Sequence, residues 1–179
     1  MKARTVVLFA VVAGLSAAGG VSYHLWSRGS GAGPAMVPEA VVERVLSARV
    51  VDVKGATQSL ERWRGQVLVV NYWATWCAPC REEIPGFVRL QERYGSRGLQ
   101  FVGIAIDQPD KVAEFASEFR INYPLLLGGL ETIELLRQAG NRAGVLPYTL
   151  VIDRKGNLVS REPGGLKEAR LESIIQPLL

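Results

Sequence analysis

A nearly unbroken apolar segment leads into a pair of cysteines, and this junction constrains the fold more than any other part of the sequence. Val67–Trp73 has the length and composition of a central, buried β-strand. Cys77 and Cys80 follow at Cys-x-x-Cys spacing, directly after Trp76, and the chain has no other cysteine. The pair can close and reopen a small disulfide ring, which indicates transfer of two electrons between thiols.

The two cysteines are predicted to have different tasks because a helix is expected to begin at the pair. Cys77 would sit near the helix N-terminus, where unpaired backbone N–H groups and the positive end of the helix dipole favour a thiolate. We therefore predict that Cys77 is the attacking sulfur. Cys80, one turn further on, would be shielded and would resolve the mixed disulfide.

Two structural uses of the pair fit the sequence less well. A static disulfide stabilises most when it closes a long loop, and this one would close a ring of only four residues. A structural zinc site needs four ligands, but the chain offers two cysteines and one histidine, His24. His24 lies in the N-terminal apolar run and is interpreted as an interfacial residue. We expect no metal and no cofactor.

Residues 1–27 are predicted to be a membrane anchor or a signal sequence rather than part of the fold. Lys2 and Arg4 precede an uncharged stretch over residues 5–27. A retained anchor needs about 20 apolar residues, and the leading positive charges favour an N-inside orientation. The alternative is cleavage after a short apolar region, at Ser16-Ala17-Ala18. Both alternatives place the remaining chain on the exported side of a membrane.

The Gly-, Ser- and Pro-rich residues 28–39 are predicted to be a flexible linker, which leaves 40–179 as the folded domain. Three of the 21 basic residues and one of the 17 acidic residues precede Ala40, so the domain has 18 basic against 16 acidic residues. A balance so close to neutral gives no support for a nucleic-acid partner.

Strand and helix patterns alternate along the domain, which predicts an α/β fold. Further strands are expected at Arg49–Val53, Leu99–Ile106 and Tyr148–Ile152, and the last of these should open a hairpin. The apolar periodicity predicts helices from the cysteine pair to about Tyr94, and around residues 112–119, 131–139 and 171–178.

Residues Asn71–Pro85 resemble the active-site region of thioredoxin-like proteins, and most closely the membrane-tethered TlpA/ResA branch of exported thiol–disulfide reductases. A second matching motif, Gly144–Thr149, contains Pro147, which the resemblance implies is cis and catalytic. The resemblance covers roughly Arg49 to Leu179. It implies a thioredoxin-like fold, with a central mixed sheet flanked by helices. An extra strand–helix insertion would lie between the Cys-x-x-Cys helix and the cis-proline, at residues 122–139.

Further site residues follow from this resemblance and from spacing. Leu146 would present its backbone N–H and C=O beside Cys77, where a substrate peptide could pair as a short strand. Trp76 would cover one side of the sulfur pair and shape the docking surface. Glu83 shares a helical face with Cys77 and Cys80 and could accept the proton of Cys80. ResA-like proteins carry a glutamate there. The alternative is an acid that only complements the helix dipole.

One position departs from the thioredoxin pattern. Thioredoxins proper place a buried aspartate on the strand before the motif, and this chain has Asn71 there. Asparagine cannot exchange a proton, so proton transfer is expected to depend on Glu83.

The resemblance implies an exported thiol–disulfide oxidoreductase that reduces periplasmic proteins, as in cytochrome c maturation or copper-site assembly. The expected partners are a disulfide-containing substrate protein and a membrane thiol transporter as electron donor. The expected location is the periplasmic side of the bacterial inner membrane, anchored there or soluble after cleavage. The alternatives are a thiol oxidase or isomerase, or a Cu(I)-delivery module built on two soft thiolates. A peroxidase of the peroxiredoxin type would need Thr or Ser three residues before the reactive cysteine. This chain has Ala74 there, which argues against that activity.

Overall fold

A computed structural model of the protein describes residues 38–179. The predicted anchor or signal sequence, and all of the linker before Pro38, lie outside the described residues. Within residues 38–179, none of the helices combines the length and the apolar character needed to cross a membrane.

Five helices and seven strands make up this part of the chain. The helices are α1 (Glu39–Ser47), α2 (Ala78–Tyr94), α3 (Pro109–Glu118), α4 (Leu130–Gln138) and α5 (Glu168–Ile175). The strands are β1 (Arg49–Asp52), β2 (Thr57–Ser59), β3 (Val67–Trp73), β4 (Leu99–Ala105), β5 (Leu125–Leu127), β6 (Tyr148–Ile152) and β7 (Leu158–Pro163). Three short 3₁₀ turns cover Leu60–Trp63, Gly95–Arg97 and Gln176–Leu178.

The strands form one mixed sheet in the order β2-β1-β5-β4-β3-β6-β7. β3 runs parallel to β4, and β4 runs parallel to β5, whereas every other neighbouring pair is antiparallel. The sheet with helices on its faces confirms the predicted mixed α/β architecture. The β6–β7 pair is the predicted hairpin.

Strand β3 is an interior strand, paired with β4 on one side and β6 on the other, and every one of its side chains is buried. Alternate residues point to opposite faces of the sheet. Val69 and Trp73 belong to a core layer shared with α2, α3 and α5, which we call the site layer. Val70 and Tyr72 belong to the other layer, shared with α1 and α4. Burying one large apolar side chain contributes about 1.5–3 kcal/mol, so this strand anchors both layers.

The predicted insertion is present as β5 and α4, between α2 and Pro147. β5 extends the sheet beside β4, and α4 buries Leu135 and Leu136 in the layer opposite the site. Two elements were not predicted. Helix α1 buries Val42, Val45 and Leu46 in the same layer, and the short polar strand β2 pairs with β1 at the sheet edge.

Candidate active site

The two cysteines lie where β3 passes into α2. β3 ends at Trp73, and Cys77 is the N-cap residue of α2. Cys77 and Cys80 are joined by a disulfide whose Cα atoms are 5.3 Å apart. Cys80 is fully buried, and Cys77 is 5% exposed. The sequence prediction of a strand–turn–helix junction at the pair is therefore confirmed.

The turn before Cys77 is held by an acidic side chain that sequence reasoning missed. The Asp107 carboxylate accepts hydrogen bonds from the backbone N–H of Thr75 at 3.0 Å and from its hydroxyl at 2.5 Å. Partial burial opposes ionisation, but these bonds and one from the Gln108 N–H outweigh it, so the pKa of Asp107 is lowered. The sequence did contain a signal for Asp107. It is an acid that follows the apolar strand β4, and β4 ends at the same edge of the sheet as β3.

Glu83 lies one helical turn after Cys80, on the same face of α2, and it is buried. Its Oε1 accepts a hydrogen bond from Asn71 Nδ2 at 2.8 Å, and its Oε2 accepts one from the backbone N–H of Leu166, also at 2.8 Å. Burial raises the pKa of Glu83 from 4.5 to about 7, although both donated bonds act to lower it. A carboxyl in this state can take up or release a proton near neutral pH.

Asn71 links Glu83 to the neighbouring strand. It faces Thr149 across the β3–β6 pairing, and its Nδ2 also donates to Thr149 Oγ1 at 3.0 Å. All three side chains are buried. Asn71 Oδ1 has no hydrogen-bond partner among residues 38–179. The position that holds a buried aspartate in thioredoxins is therefore used here to bind a carboxylate that α2 supplies.

Solvent reaches this network through a groove. The groove has a volume of about 340 Å³, and its lining includes Pro79, Glu83, Gly86 and Leu166. The loop before α5 forms one wall and packs closely on α2, since a Cβ built on Gly165 would come within 3.3 Å of the Pro79 Cβ. Leu166 binds the Glu83 carboxylate through its backbone N–H. The identity of its side chain therefore gave no sign of this contact in the sequence.

The Leu146–Pro147 peptide is cis, as predicted. The Leu146 side chain is half-buried and packs against both core layers, including the site layer that contains the two cysteines. The Pro147 C=O accepts a hydrogen bond from the Gly164 N–H at 2.8 Å. Trp76, just before the pair, is 69% exposed, which makes its ring available to a docking partner.

The side chain of Arg81, the residue after Cys80, is held by contacts with α3. Its guanidinium lies over the rings of Phe115 and Phe119, at 4.9 and 5.0 Å from their centroids, and forms an ion pair with Glu118 at 3.7 Å. It also donates to the Thr75 C=O at 3.4 Å. Arg81 thereby joins the turn before Cys77 to α3. Within residues 38–179, no three His, Cys, Asp or Glu side chains cluster as metal ligands.

Comparison with known proteins agrees with this geometry. The sequence model of the AhpC/TSA family matches residues 39–161. Thiol-disulfide oxidoreductase ResA of Halalkalibacterium halodurans is 26% identical over 136 residues, which are 75% of this chain and 74% of that protein. ResA of Geobacillus kaustophilus is 27% identical over 130 residues, 72% of each chain.

A solved structure gives the same result. The thiol:disulfide interchange protein of the thioredoxin family from Chlorobium tepidum TLS superimposes with a TM-score of 0.68 at 32% identity. The match covers 83% of this chain and 99% of that one. The chain thus belongs to the AhpC/TSA family, in which it is a thioredoxin-like thiol–disulfide oxidoreductase of the ResA type.

Proposed function

We propose that the protein reduces disulfides in exported proteins through a Cys77/Cys80 dithiol–disulfide cycle. The observation that carries the proposal is the arrangement on α2, where the disulfide at the helix start precedes a buried carboxyl, Glu83, whose pKa is raised to about 7. A group of this kind matches the proton demand of thiol chemistry near neutral pH.

The proposed cycle transfers two electrons to the substrate. The Cys77 thiolate attacks one substrate sulfur, which forms a mixed disulfide and releases the other sulfur as a thiolate. Cys80 then attacks the Cys77 sulfur, forms the protein disulfide and releases the second substrate sulfur as a thiolate. The proton of Cys80 passes to the Glu83 carboxylate. Two electrons and two protons from a membrane thiol transporter would restore the dithiol.

The substrate would bind in extended form beside the cis-proline. Within residues 38–179, nothing hydrogen bonds to the backbone N–H or C=O of Leu146. These free groups support pairing with an incoming peptide as an added strand. Trp76 would contact the same partner. Candidate substrates are proteins of cytochrome c maturation or copper-site assembly.

The proposal includes a location and a domain organisation. Residues 1–27 would anchor the chain in the bacterial inner membrane or direct its export before cleavage, residues 28–39 would act as a linker, and 40–179 would be the periplasmic catalytic domain. Lys2 and Arg4 before the apolar run support this orientation.

The direction of electron flow is tested by the reduction potential of the Cys77–Cys80 pair in the full-length protein, equilibrated with dithiothreitol or glutathione. A reductase is expected to have a potential below about −200 mV, whereas a value near about −120 mV is that of a strong oxidant and would contradict the proposal. Tight stoichiometric binding of Cu(I) without disulfide exchange would instead favour a copper-delivery role.

The cycle itself is tested by trapping. Cys80→Ser should accumulate a mixed disulfide with substrate, because the resolving thiol is missing. Cys77→Ser should form none, which makes it the matched control. Trapping by Cys77→Ser alone would reverse the assignment of the two sulfurs, and equal trapping by both variants would remove it.

A further inference from the structure

Asn141 is a buried polar residue outside the network around Glu83. It follows the end of α4, and its backbone N–H donates to the Leu136 C=O at 3.1 Å. Gly140, with φ of +109°, makes the turn that brings Asn141 back against the helix end. Only 3% of Asn141 is exposed, so its carboxamide must find partners inside the protein.

Both partners are backbone groups of a single residue. Asn141 Nδ2 donates to the Val145 C=O at 2.8 Å, and Asn141 Oδ1 accepts from the Val145 N–H at 3.0 Å. The carboxamide has the same donor and acceptor as a peptide group, so it pairs with Val145 as a neighbouring strand would. The Gly144 N–H also donates to the Asn141 C=O, at 3.1 Å, which closes the loop.

Val145 directly precedes Leu146 and the cis peptide. Asn141 binds both backbone groups of Val145. The backbone N–H and C=O of the next residue, Leu146, have no hydrogen-bond partner among residues 38–179. On the far side, the Pro147 C=O is fixed by Gly164. Leu146 is therefore the free link between two fixed backbone segments.

The insertion holds this loop from the following strand as well. The hydroxyl of Tyr148 donates to the Ala139 C=O at 3.1 Å, and Tyr148 is buried. The end of α4 thus contacts the chain on both sides of the cis peptide, through Asn141 before it and through Tyr148 after it.

We propose that Asn141 is a positioning residue for substrate binding. By clamping Val145, it holds the Leu146 backbone ready to pair with the extended peptide that flanks the substrate disulfide. A loop that is ordered before binding loses less conformational freedom when the peptide docks, so affinity rises without new contacts. This inference rests on the proposed function and gives the strand–helix insertion a task in it.

The test compares a protein substrate with a small one, using the full-length protein. Asn141→Ala should raise the KM for insulin disulfides about tenfold, the loss expected when two neutral hydrogen bonds no longer order the loop. Its rate with 5,5′-dithiobis(2-nitrobenzoic acid), which has no peptide to pair, and its reduction potential should stay within about twofold and about 10 mV of the unmodified protein. Asn122→Ala is the control, since Asn122 also donates to a backbone carbonyl, that of Val88.

A second variant separates positioning from simple loss of packing. The carboxyl introduced by Asn141→Asp can accept and donate when protonated, but when ionised it repels the Val145 C=O. The KM of Asn141→Asp for insulin, divided by that of the unmodified protein at each pH, should therefore be near one in acid and rise with pH. This variant also keeps the test available if Asn141→Ala does not fold.

Three results would overturn the inference. An insulin KM unchanged in both variants would show that the clamp has no effect on binding. An equal loss with the small disulfide would place the effect at the sulfurs, and a pH-independent ratio for Asn141→Asp would mean that the hydrogen bonds are not its cause. If the unmodified protein fails to reduce insulin, the proposed function fails first, and the inference fails with it.

Discussion

Asn71 on β3 donates a 2.8 Å hydrogen bond to the carboxylate of Glu83 on α2, and both side chains are buried. The pair connects this buried interior strand to the helix that carries the cysteines. The bond from Asn71 stabilises the ionised form of Glu83, while burial favours the neutral form. Burial is the stronger influence, and the resulting pKa of about 7 lets small changes in pH alter the charge of Glu83.

This balance predicts a pH-dependent stability that Glu83→Gln should remove. The folded-state pKa of Glu83 is about 7, above the ordinary 4.5, so the folded protein holds the proton more tightly than the unfolded chain. The stabilisation is fully present below about pH 4.5 and is lost as the pH rises through 7. Between pH 5 and 8 we expect a loss of about 2–3 kcal/mol. Urea unfolding of the oxidised protein measures it.

The control for this experiment is Glu82→Gln, which changes an exposed neighbour on the same helix. It should retain the pH dependence of the unmodified protein. Glu83→Gln should also slow resolution of the mixed disulfide by about 100-fold or more at neutral pH, as expected for loss of a general base. A pH profile of stability that is the same in both variants would rule out Glu83 as the titrating group.

Asn71→Asp is predicted to destabilise the protein mainly at high pH. It would place a second carboxylate within hydrogen-bond distance of Glu83, and two carboxylates this close cannot both ionise without a large cost. We expect a loss of about 3 kcal/mol or more at pH 8 and a much smaller loss at pH 5. Denaturant titrations at the two pH values measure the difference.

Asn122→Asp is the control, because it places a new carboxylate at an exposed asparagine. It should change the free energy of unfolding by less than about 1 kcal/mol at either pH. Equal losses for Asn71→Asp at pH 5 and pH 8 would indicate a packing defect rather than repulsion between carboxylates.

The junction of β3 and α2 could be predicted because its signals are local. An apolar run, two cysteines and an amphipathic helix all lie within residues 67–94. The network around Glu83 could not, because its members come from distant parts of the chain. Leu166 is 83 residues from Glu83, and Thr149 is 78 residues from Asn71. Only the sheet order and the loop before α5 bring them together.

The elements at the N-terminal edge of the sheet show the same limit. β2 has three polar residues and no apolar alternation, so it is a strand only because β1 offers it a partner. The Asn141 clamp likewise depends on the end of α4 and the cis-proline loop being neighbours. Pro147 was predicted to be cis from the resemblance, whereas the residue that holds the preceding backbone had no motif to reveal it.

Asp107→Asn is predicted to loosen the turn before Cys77. The substitution replaces an ionised acceptor of two Thr75 hydrogen bonds with a neutral amide, and hydrogen bonds to charged groups contribute about 1.5–3 kcal/mol each. We expect a loss of about 2 kcal/mol at neutral pH. Because the folded-state pKa of Asp107 is lowered, this contribution is present above the ordinary pKa of aspartate and is lost as the pH falls through the folded-state value.

Urea unfolding at neutral and acid pH checks both parts of that prediction. Asp110→Asn is the matched control, since Asp110 is an exposed acid in the first turn of α3. A difference between the Asp107 variant and the unmodified protein that stays constant into strong acid would show that the charge of Asp107 contributes nothing.

Trp76→Ala is predicted to weaken substrate binding without weakening the fold. The ring is 69% exposed beside Cys77, so its removal should change the free energy of unfolding by no more than about 0.5 kcal/mol. Exposed tryptophans at protein interfaces often contribute about 2 kcal/mol to binding, which corresponds to a KM for insulin raised about 10- to 30-fold. Leu130→Ala, which removes an 86% exposed apolar side chain on α4, should leave this KM unchanged. If both variants lower binding equally, or neither does, Trp76 is not part of the docking surface.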